Sequence, residues 1–336
     1  MNTVERNLFW NKLISQKSPE KGYDLISVNS YPTKLYRYRT ISENSLFALR
    51  NNMLYFSTSD YYDDPFDTYI HIDFQKIKNM IQILDKGHQP PITHSNLILS
   101  LMLSVMESAD ISLSSEYIIQ YLKNARGKLR QTSWSICFTE KADNETLWLK
   151  YAAGHSGFVL EYDLIDLMTT IPSLNPAPDC REDIKQNLDK IIASSELNAS
   201  IYPMYYSKTK YDATEYALFL ALCNYLESTG HLDIIQRMVS SQLCCWEAEK
   251  ILLIKKWIHH HDEEWRMILS SKYRIPSGLK PYKLCKPKKV IFGYNIKPDE
   301  RELVRQNACI AGIESFGKMI IDENDNFLQI EEKYNV

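Results

Sequence analysis

Six residues near the amino end, Lys34-Leu-Tyr-Arg-Tyr-Arg39, alternate in the pattern of a β-strand. This alternation puts Arg37 and Arg39 on one face with Leu35, and the two tyrosines on the other. Two arginines on one strand face are suited to binding a phosphate or a carboxylate through paired N–H groups. An edge strand with solvated arginines would have the same alternation, so the pattern leaves both interpretations open.

The segment that follows this strand predicts a strand–helix–strand unit. Ser42 is a typical N-cap for a helix that ends near Arg50, and residues 53–57 read as a second strand. The acidic turn Asp63-Asp-Pro-Phe-Asp67 comes next. Its three carboxylates repel one another and therefore need backbone amides or a cation nearby. A turn capped by Asp side chains and a metal site completed from elsewhere both satisfy that need.

A third charged string, Glu263-Glu-Trp-Arg-Met-Ile-Leu269, predicts a late strand. Glu264 and Arg266 share one of its faces, either as a surface ion pair or with Glu264 in a cleft as a base or charge stabiliser. Charge on a buried strand is costly unless it is paired or used. We therefore expect the distant charged strings to converge on one polar cleft.

A middle block combines a strand over 133–138 with a helix over 144–153. Thr139 puts a hydroxyl at the end of the strand, and His155 lies in a glycine-containing turn after the helix. Both are candidates for lining a pocket, although a turn histidine is also often a hydrogen-bonded structural group. Cys137 is interpreted as a small core residue and not as a nucleophile.

The remaining pattern predicts an α+β fold in a single domain, 1–336, with a mixed or antiparallel central sheet. Long, mainly helical insertions at 74–130 and 163–260 are expected to form a helical subdomain. Further helices are predicted at about 2–16, 75–86, 95–107, 113–126, 181–196, 212–229, 232–257 and 298–312, and further strands at 157–163, 201–206, 288–293, 316–321 and 327–331.

The composition and the absence of several known motifs argue against some classes of protein. The net charge is −3, with 39 basic and 42 acidic residues, which does not indicate non-specific binding of nucleic acid, although a local basic patch stays open. The 7 cysteines are scattered without a CxxC pair, which argues against a disulfide framework or a zinc site. No signal peptide, membrane span, P-loop, dinucleotide fingerprint or nucleophile elbow is recognised. A cytoplasmic protein without membrane partners is predicted.

Taken as a set, several short motifs over roughly residues 35–308 resemble a bacterial family of uncharacterised proteins, domain-of-unknown-function family 2971. Two positions depart from the family pattern, with Asp63 in place of Asn and Asp262 in place of Glu. The motifs are Leu35-Tyr-Arg-Tyr-Arg39, Leu54-Tyr-Phe-Ser57, Asp64-Pro-Phe-Asp67, Ile136-Cys-Phe-Thr-Glu140, Leu147-Trp148, Tyr151, His155-Ser-Gly157, Glu161, Glu264-Trp-Arg266 and Lys289-Val-Ile-Phe-Gly293.

The order of polar strands is also similar to the layout of ADP-ribosyltransferases, which implies NAD as a substrate and no metal. In those enzymes an early Arg or His holds NAD, a mid-chain hydroxyl shapes the nicotinamide pocket and a late Glu contacts the nicotinamide ribose. The resemblance implies catalytic roles for Arg37, Thr139 and Glu264. It implies NAD-binding roles for Arg37, Tyr38, Arg39, Tyr151, His155 and Arg266. A protein or nucleic-acid acceptor, and a role as a toxin or phage-defence effector, would follow.

Two other functions compete with this hypothesis. A non-enzymatic module would bind a nucleotide, another small molecule or a partner in the same cleft without turnover. A nuclease would hold a divalent cation with Asp63, Asp64, Asp67 and Glu264. The three hypotheses predict different outcomes for ligand binding, nicotinamide release and magnesium-dependent cleavage.

Overall fold

The protein is built on a mixed, mostly antiparallel sheet with helices packed around it, so the predicted α+β class is confirmed. A computed structural model describes residues 1–15, 31–85, 115–131, 133–170, 197–233, 245–271, 278–322 and 328–331. The predicted helices 95–107 and 181–196 lie outside the described residues.

The strands are β1 (Lys34–Arg39), β2 (Met53–Thr58), β3 (Ile70–His71), β4 (Ser133–Thr139), β5 (Phe158–Asp163), β6 (Leu197–Pro203), β7 (Tyr205–Ser207), β8 (Tyr211–Asp212), β9 (Ile254–Lys256), β10 (Glu264–Ser271), β11 (Leu279–Lys283), β12 (Lys289–Phe292), β13 (Phe316–Ile321) and β14 (Leu328–Glu331). The helices are α1 (Thr3–Ser15), α2 (Glu43–Arg50), α3 (Phe74–Asp85), α4 (Ser115–Leu122), α5 (Ala125–Leu129), α6 (Glu145–Tyr151), α7 (Leu164–Thr170), α8 (Thr214–Ser228), α9 (Cys245–Leu253) and α10 (Pro298–Ile310).

Ten of the described strands form the central sheet in the order β11-β2-β4-β1-β5-β12-β13-β14, with β10 and β6 branching from β4. Of its pairings, that of β12 with β13 is parallel. β1 lies between β4 and β5. The interpretation of β1 as an edge strand with solvated arginines is therefore wrong.

The strand β4 has three neighbours, which opens a gap in the sheet. β10 pairs along the whole of one edge, from Ser133 to Thr139. The other edge is shared, because β2 pairs at Ser135 and β1 pairs at Thr139. Between these two points β4 has no strand partner on that edge within these fully described strands. The gap is the structural feature on which the site depends.

Local sequence explains the elements on either side of the gap. Ser42 caps α2 as predicted, because its side chain accepts the Ser45 N–H while the Ser45 hydroxyl accepts the Ser42 N–H. The apolar residues of β4 and β10, including Trp134 and Trp265, are fully buried. Helices α3, α4 and α5 pack on α8.

The region before β10 differs from its prediction. The helix expected over 232–257 ends at Leu253, and the chain continues as β9 and a 3-10 helix, Trp257–Asp262. β9 pairs in parallel with β7, so tertiary pairing overrides the helical pattern. Within the segment 163–260, the strand predicted at 201–206 is divided between β6 and β7, and β6 joins the central sheet beside β10. Within the described residues, no helix has the length and apolarity needed to cross a membrane.

We predict that Gly157→Ala will destabilise the protein by roughly 1–3 kcal/mol, because the new Cβ would overlap the carbonyl oxygen of Arg39 at the end of β1. Gly127→Ala is the matched control, since a Cβ there meets nothing within 4 Å. Urea unfolding of both variants tests the prediction. Equal free energies of unfolding for the two variants would contradict the close approach of these backbones.

Candidate functional site

A cavity of about 350 Å³ lies over the gap between β1 and β4, and all three charged strings reach it. We refer to this cavity as the cleft. Its volume lies at the lower end of the range for small-molecule sites. The convergence that the sequence predicted is therefore present.

Seven of the eight residues predicted from the sequence line the cleft: Arg37, Tyr38, Arg39, Thr139, Tyr151, Glu264 and Arg266. His155 is not among the lining residues. It adopts a left-handed backbone with φ of 66°, and its ring stacks on Trp148 at 5.8 Å between centroids. Burial lowers the pKa of His155. Its backbone bonds Trp148 and Asn295, but its buried Nδ1 has no hydrogen-bond partner among the described residues, so the hydrogen-bonded side chain that the sequence left as an alternative is not found.

Arg266 is the most heavily bonded group in the cleft and is 0% exposed. Its two terminal nitrogens bind both carboxylate oxygens of Asp67, at 2.8 and 2.6 Å, and its Nε donates to Glu264 Oε1 at 2.6 Å. It also donates to the carbonyl of Leu252 at 2.7 Å, and its guanidinium lies 4.9 Å from the ring centroid of Tyr62. These contacts join three remote segments through one side chain.

Lys255 forms a second bridge beside this cluster. Its Nζ lies 2.9 Å from Glu264 Oε2, 3.0 Å from Asp262 Oδ2 and 3.9 Å from Asp67 Oδ2. Burial alone would lower the pKa of Lys255, but the three carboxylates outweigh it and raise the pKa well above its usual value. Lys255 is thus held as a cation, and nothing in its position suits a nucleophilic amine.

Glu264 is only 5% exposed, and both of its oxygens accept charge-assisted hydrogen bonds. Burial acts to raise the pKa of Glu264, but Arg266 and Lys255 outweigh it and hold the pKa far below 4.5. The carboxylate is therefore ionised at neutral pH. It is suited to electrostatic stabilisation and poorly suited to proton abstraction, which needs a pKa near the working pH.

Arg37 and Arg39 differ from Arg266 because they have no carboxylate partner in the part of the chain that the structure describes. Arg37 donates to the backbone carbonyl of Cys137 at 2.6 Å, in the stretch of β4 without a strand partner, while its buried Nε has no acceptor. Burial, with a smaller contribution from Arg37, lowers the pKa of Arg39 to about 9. A buried donor without an acceptor among the described residues, such as Arg37 Nε, beside a second unpaired guanidinium is suited to an anionic ligand.

Two small polar residues of β4 complete the floor of the cleft. Thr139 donates from its hydroxyl to the backbone carbonyl of Asp262 at 2.7 Å, which fixes the end of β4 to the start of β10. Burial raises the pKa of the Cys137 thiol to about 12. Cys137 is therefore not a thiolate nucleophile at neutral pH, but it lines the cleft with intermediate burial and is not the core residue that the sequence predicted.

The carboxylates of the acidic turn have two different roles. Asp64 caps the turn by accepting the Phe66 N–H at 2.7 Å, which is the structural role that the sequence allowed. Asp67 instead leaves the turn to bind Arg266. Thr68 follows it with φ of 62°, a strained conformation for a β-branched residue.

Several polar residues that line the cleft were not among the predicted site residues, including Tyr62, Ser135, Lys255 and Asp262. The hydroxyl of Tyr62 bonds that of Ser135, and both belong to patterns that read as ordinary strand and turn. Lys255 follows an apolar run that predicted a helix. The one available signal was the Asp-Glu-Glu run at 262–264, whose repulsion requires a cation nearby.

In the metal-dependent hypothesis Asp67 and Glu264 would bind a divalent cation, but both carboxylates are already paired with protein cations. Asp67 and Glu264 bind Arg266, and Lys255 lies within 4 Å of both. Among the described residues, no group of three or more His, Cys, Asp or Glu has an arrangement that would hold a metal ion. A larger cavity of about 600 Å³, near α1, contains none of the residues predicted from the sequence.

Comparison with known proteins does not identify a relative of this chain. No protein-family model matches the chain, and neither a curated protein nor a solved structure matches it significantly. The resemblances drawn from the sequence therefore stay predictions.

We predict that Asp67→Asn will lower the free energy of unfolding by about 3 kcal/mol, because it leaves part of the fully buried Arg266 charge without its bidentate partner. Glu302→Gln removes an exposed carboxylate that also pairs with an arginine, and it should change stability little. Urea unfolding at pH 7 measures both. A similar effect for the two variants would mean that the buried pair contributes no more than a surface pair.

Free energies of unfolding measured over a series of pH values test whether Glu264 is ionised in the native protein. A carboxylate whose pKa is lowered on folding stabilises the native state above its unfolded pKa of about 4.5, and loses that contribution as the pH falls toward its folded pKa. The stability difference between wild type and Glu264→Gln should therefore be largest near neutral pH and shrink below pH 4.5. The exposed Glu314→Gln variant should track wild type throughout. A constant difference for Glu264→Gln would contradict the assignment.

Proposed function

We propose that the cleft binds NAD and that the protein is an NAD-consuming transferase of the ADP-ribosyl class. The observation that carries the proposal is that Arg37 and Arg39, cations without a carboxylate partner among the described residues, line the same cavity as Thr139 and Glu264. The pyrophosphate of NAD supplies the anion that these arginines lack.

The proposed reaction breaks the bond between ribose C1 and the nicotinamide nitrogen. The nitrogen keeps the electron pair, so nicotinamide leaves as a neutral molecule and the sugar becomes oxocarbenium-like. An acceptor hydroxyl or water then donates an electron pair to C1 and releases its proton to solvent, whereas a carboxylate acceptor donates an electron pair and has no proton to lose. The ionised Glu264 carboxylate would stabilise the developing positive charge.

One observation favours a second candidate, a binding module without turnover. Both oxygens of Glu264 already accept hydrogen bonds from Arg266 and Lys255, which reduces the negative charge available to a transition state. Such a module would bind the same nucleotide through Arg37 and Arg39. Ligand binding to the native state would then raise the melting temperature without consuming NAD.

We expect purified protein to release nicotinamide from NAD, in the presence of candidate acceptors or water, and Glu264→Gln to abolish the release. Arg39→Gln should weaken NAD binding about tenfold or more, because a charge-assisted contact to phosphate is lost. Arg305→Gln, on the surface of α10, is the matched control and should bind as wild type does.

Isothermal titration calorimetry and nicotinamide chromatography separate the possible results. Binding that depends on Arg39, with no nicotinamide released under any condition, would replace the enzyme proposal with the binding module. An absence of NAD binding by wild type would remove both. Circular dichroism of each variant at the assay temperature ensures that a loss reflects the site and not unfolding.

A further inference from the structure

Asp262 lies beside Glu264 in the cleft but differs from it in its bonding. It ends the 3-10 helix that precedes β10, and its side chain is 7% exposed. The next residue, Glu263, has a left-handed backbone with φ of 43°, so the chain turns sharply between the two carboxylates. Asp262 and Glu264 both line the cavity that Arg37 and Arg39 line.

The carboxylate oxygens of the cleft are satisfied unequally. Asp67 and Glu264 each bond through both oxygens to Arg266 or Lys255. Asp262 bonds Lys255 through Oδ2 at 3.0 Å, whereas its buried Oδ1 accepts no hydrogen bond from any residue that the structure describes. His261 Nε2 lies 3.2 Å from that oxygen without a hydrogen bond, and the two form an ion pair only when the ring is protonated.

A buried carboxylate oxygen without a donor costs free energy, so its presence in a residue that lines a cavity points to a donor that arrives with a ligand. From this geometry we infer that Asp262 Oδ1 binds a hydroxyl of the ligand, whereas Glu264, whose two oxygens are already bonded, acts on the ligand through its charge and not through a hydrogen bond. The inference rests on the proposed function, because the anionic part of the same ligand lies at Arg37 and Arg39.

The two unsatisfied groups are of opposite kind, which restricts the ligand class. Arg37 Nε is a buried donor without an acceptor, and Asp262 Oδ1 is a buried acceptor without a donor. An inorganic anion satisfies the first and not the second. A phosphorylated sugar or nucleotide, with phosphate at the arginines and a sugar hydroxyl at Asp262, satisfies both.

Calorimetric titration with two probes tests this assignment. The affinity for pyrophosphate depends on Arg37 and Arg39 alone. The affinity for ADP-ribose depends on these arginines and on Asp262. Asp262→Asn should weaken ADP-ribose binding about tenfold to a hundredfold, since an acceptor oxygen becomes a donor amide. Pyrophosphate binding should be unchanged or tighter, because a negative charge leaves the cleft. The exposed Asp299→Asn, in the first turn of α10, is the control and should alter neither affinity.

The outcomes distinguish this inference from the proposed function. If wild type binds neither probe, the anion site fails and the inference falls with it. If Arg39→Gln loses pyrophosphate while Asp262→Asn keeps wild-type affinity for ADP-ribose, the anion site stands and the role of Asp262 is overturned. Should Asp262→Asn fail to fold, wild type is titrated with an ADP-ribose analogue lacking the hydroxyls of its terminal ribose. Equal affinity for the analogue and ADP-ribose would also overturn the role.

Discussion

The buried guanidinium of Arg266 is the interaction on which the arrangement of the cleft depends. Full burial of a cation is tolerated only when its donors are satisfied, and Arg266 finds acceptors in Asp67, Glu264 and the Leu252 carbonyl. Those acceptors belong to the acidic turn, to β10 and to the end of α9. Three segments that are remote in sequence are thereby fixed at one place, and the strained backbone at Thr68 beside Asp67 is held there.

The branching of the sheet at β4 gives that cluster a cavity to face. An uninterrupted ladder between β1 and β4 would use the Cys137 carbonyl for backbone pairing. In the gap that carbonyl instead accepts from the Arg37 side chain. β1 stays paired to β5 along its whole length, so its arginines are carried by a rigid strand. The site thus combines stiff supports with an opening between them, which suits precise ligand binding.

Local patterns predicted the elements around the cleft well, because those elements follow local rules. The alternation of β1 and the Ser42 cap of α2 depend on nearest neighbours in sequence, and both are found at the expected residues. The pattern was wrong at 254–257, where the predicted helix has already ended and 254–256 pair with β7. Lys255 could not be recognised as a site residue, because its three carboxylate partners are set by tertiary contacts. The convergence of the charged strings on one cleft was predictable, because charges on buried strands lower stability unless they pair with one another or face a cavity.

The satisfied and unsatisfied groups divide the cleft into two parts with different tasks. Asp67, Glu264, Arg266 and Lys255 saturate one another, so they provide rigidity and have little hydrogen-bonding capacity left for a ligand. Arg37 Nε and Asp262 Oδ1 stay unsatisfied at the edge of that cluster. A cluster evolved only for stability would gain from removing both, because each lowers stability while the cavity is empty. Their placement on a rigid frame beside the cavity suits preorganised binding, which loses little free energy to the ordering of side chains. The division also explains why the most conspicuous carboxylate of the sequence, Glu264, belongs to the supporting cluster, while its neighbour Asp262 keeps an oxygen for the ligand.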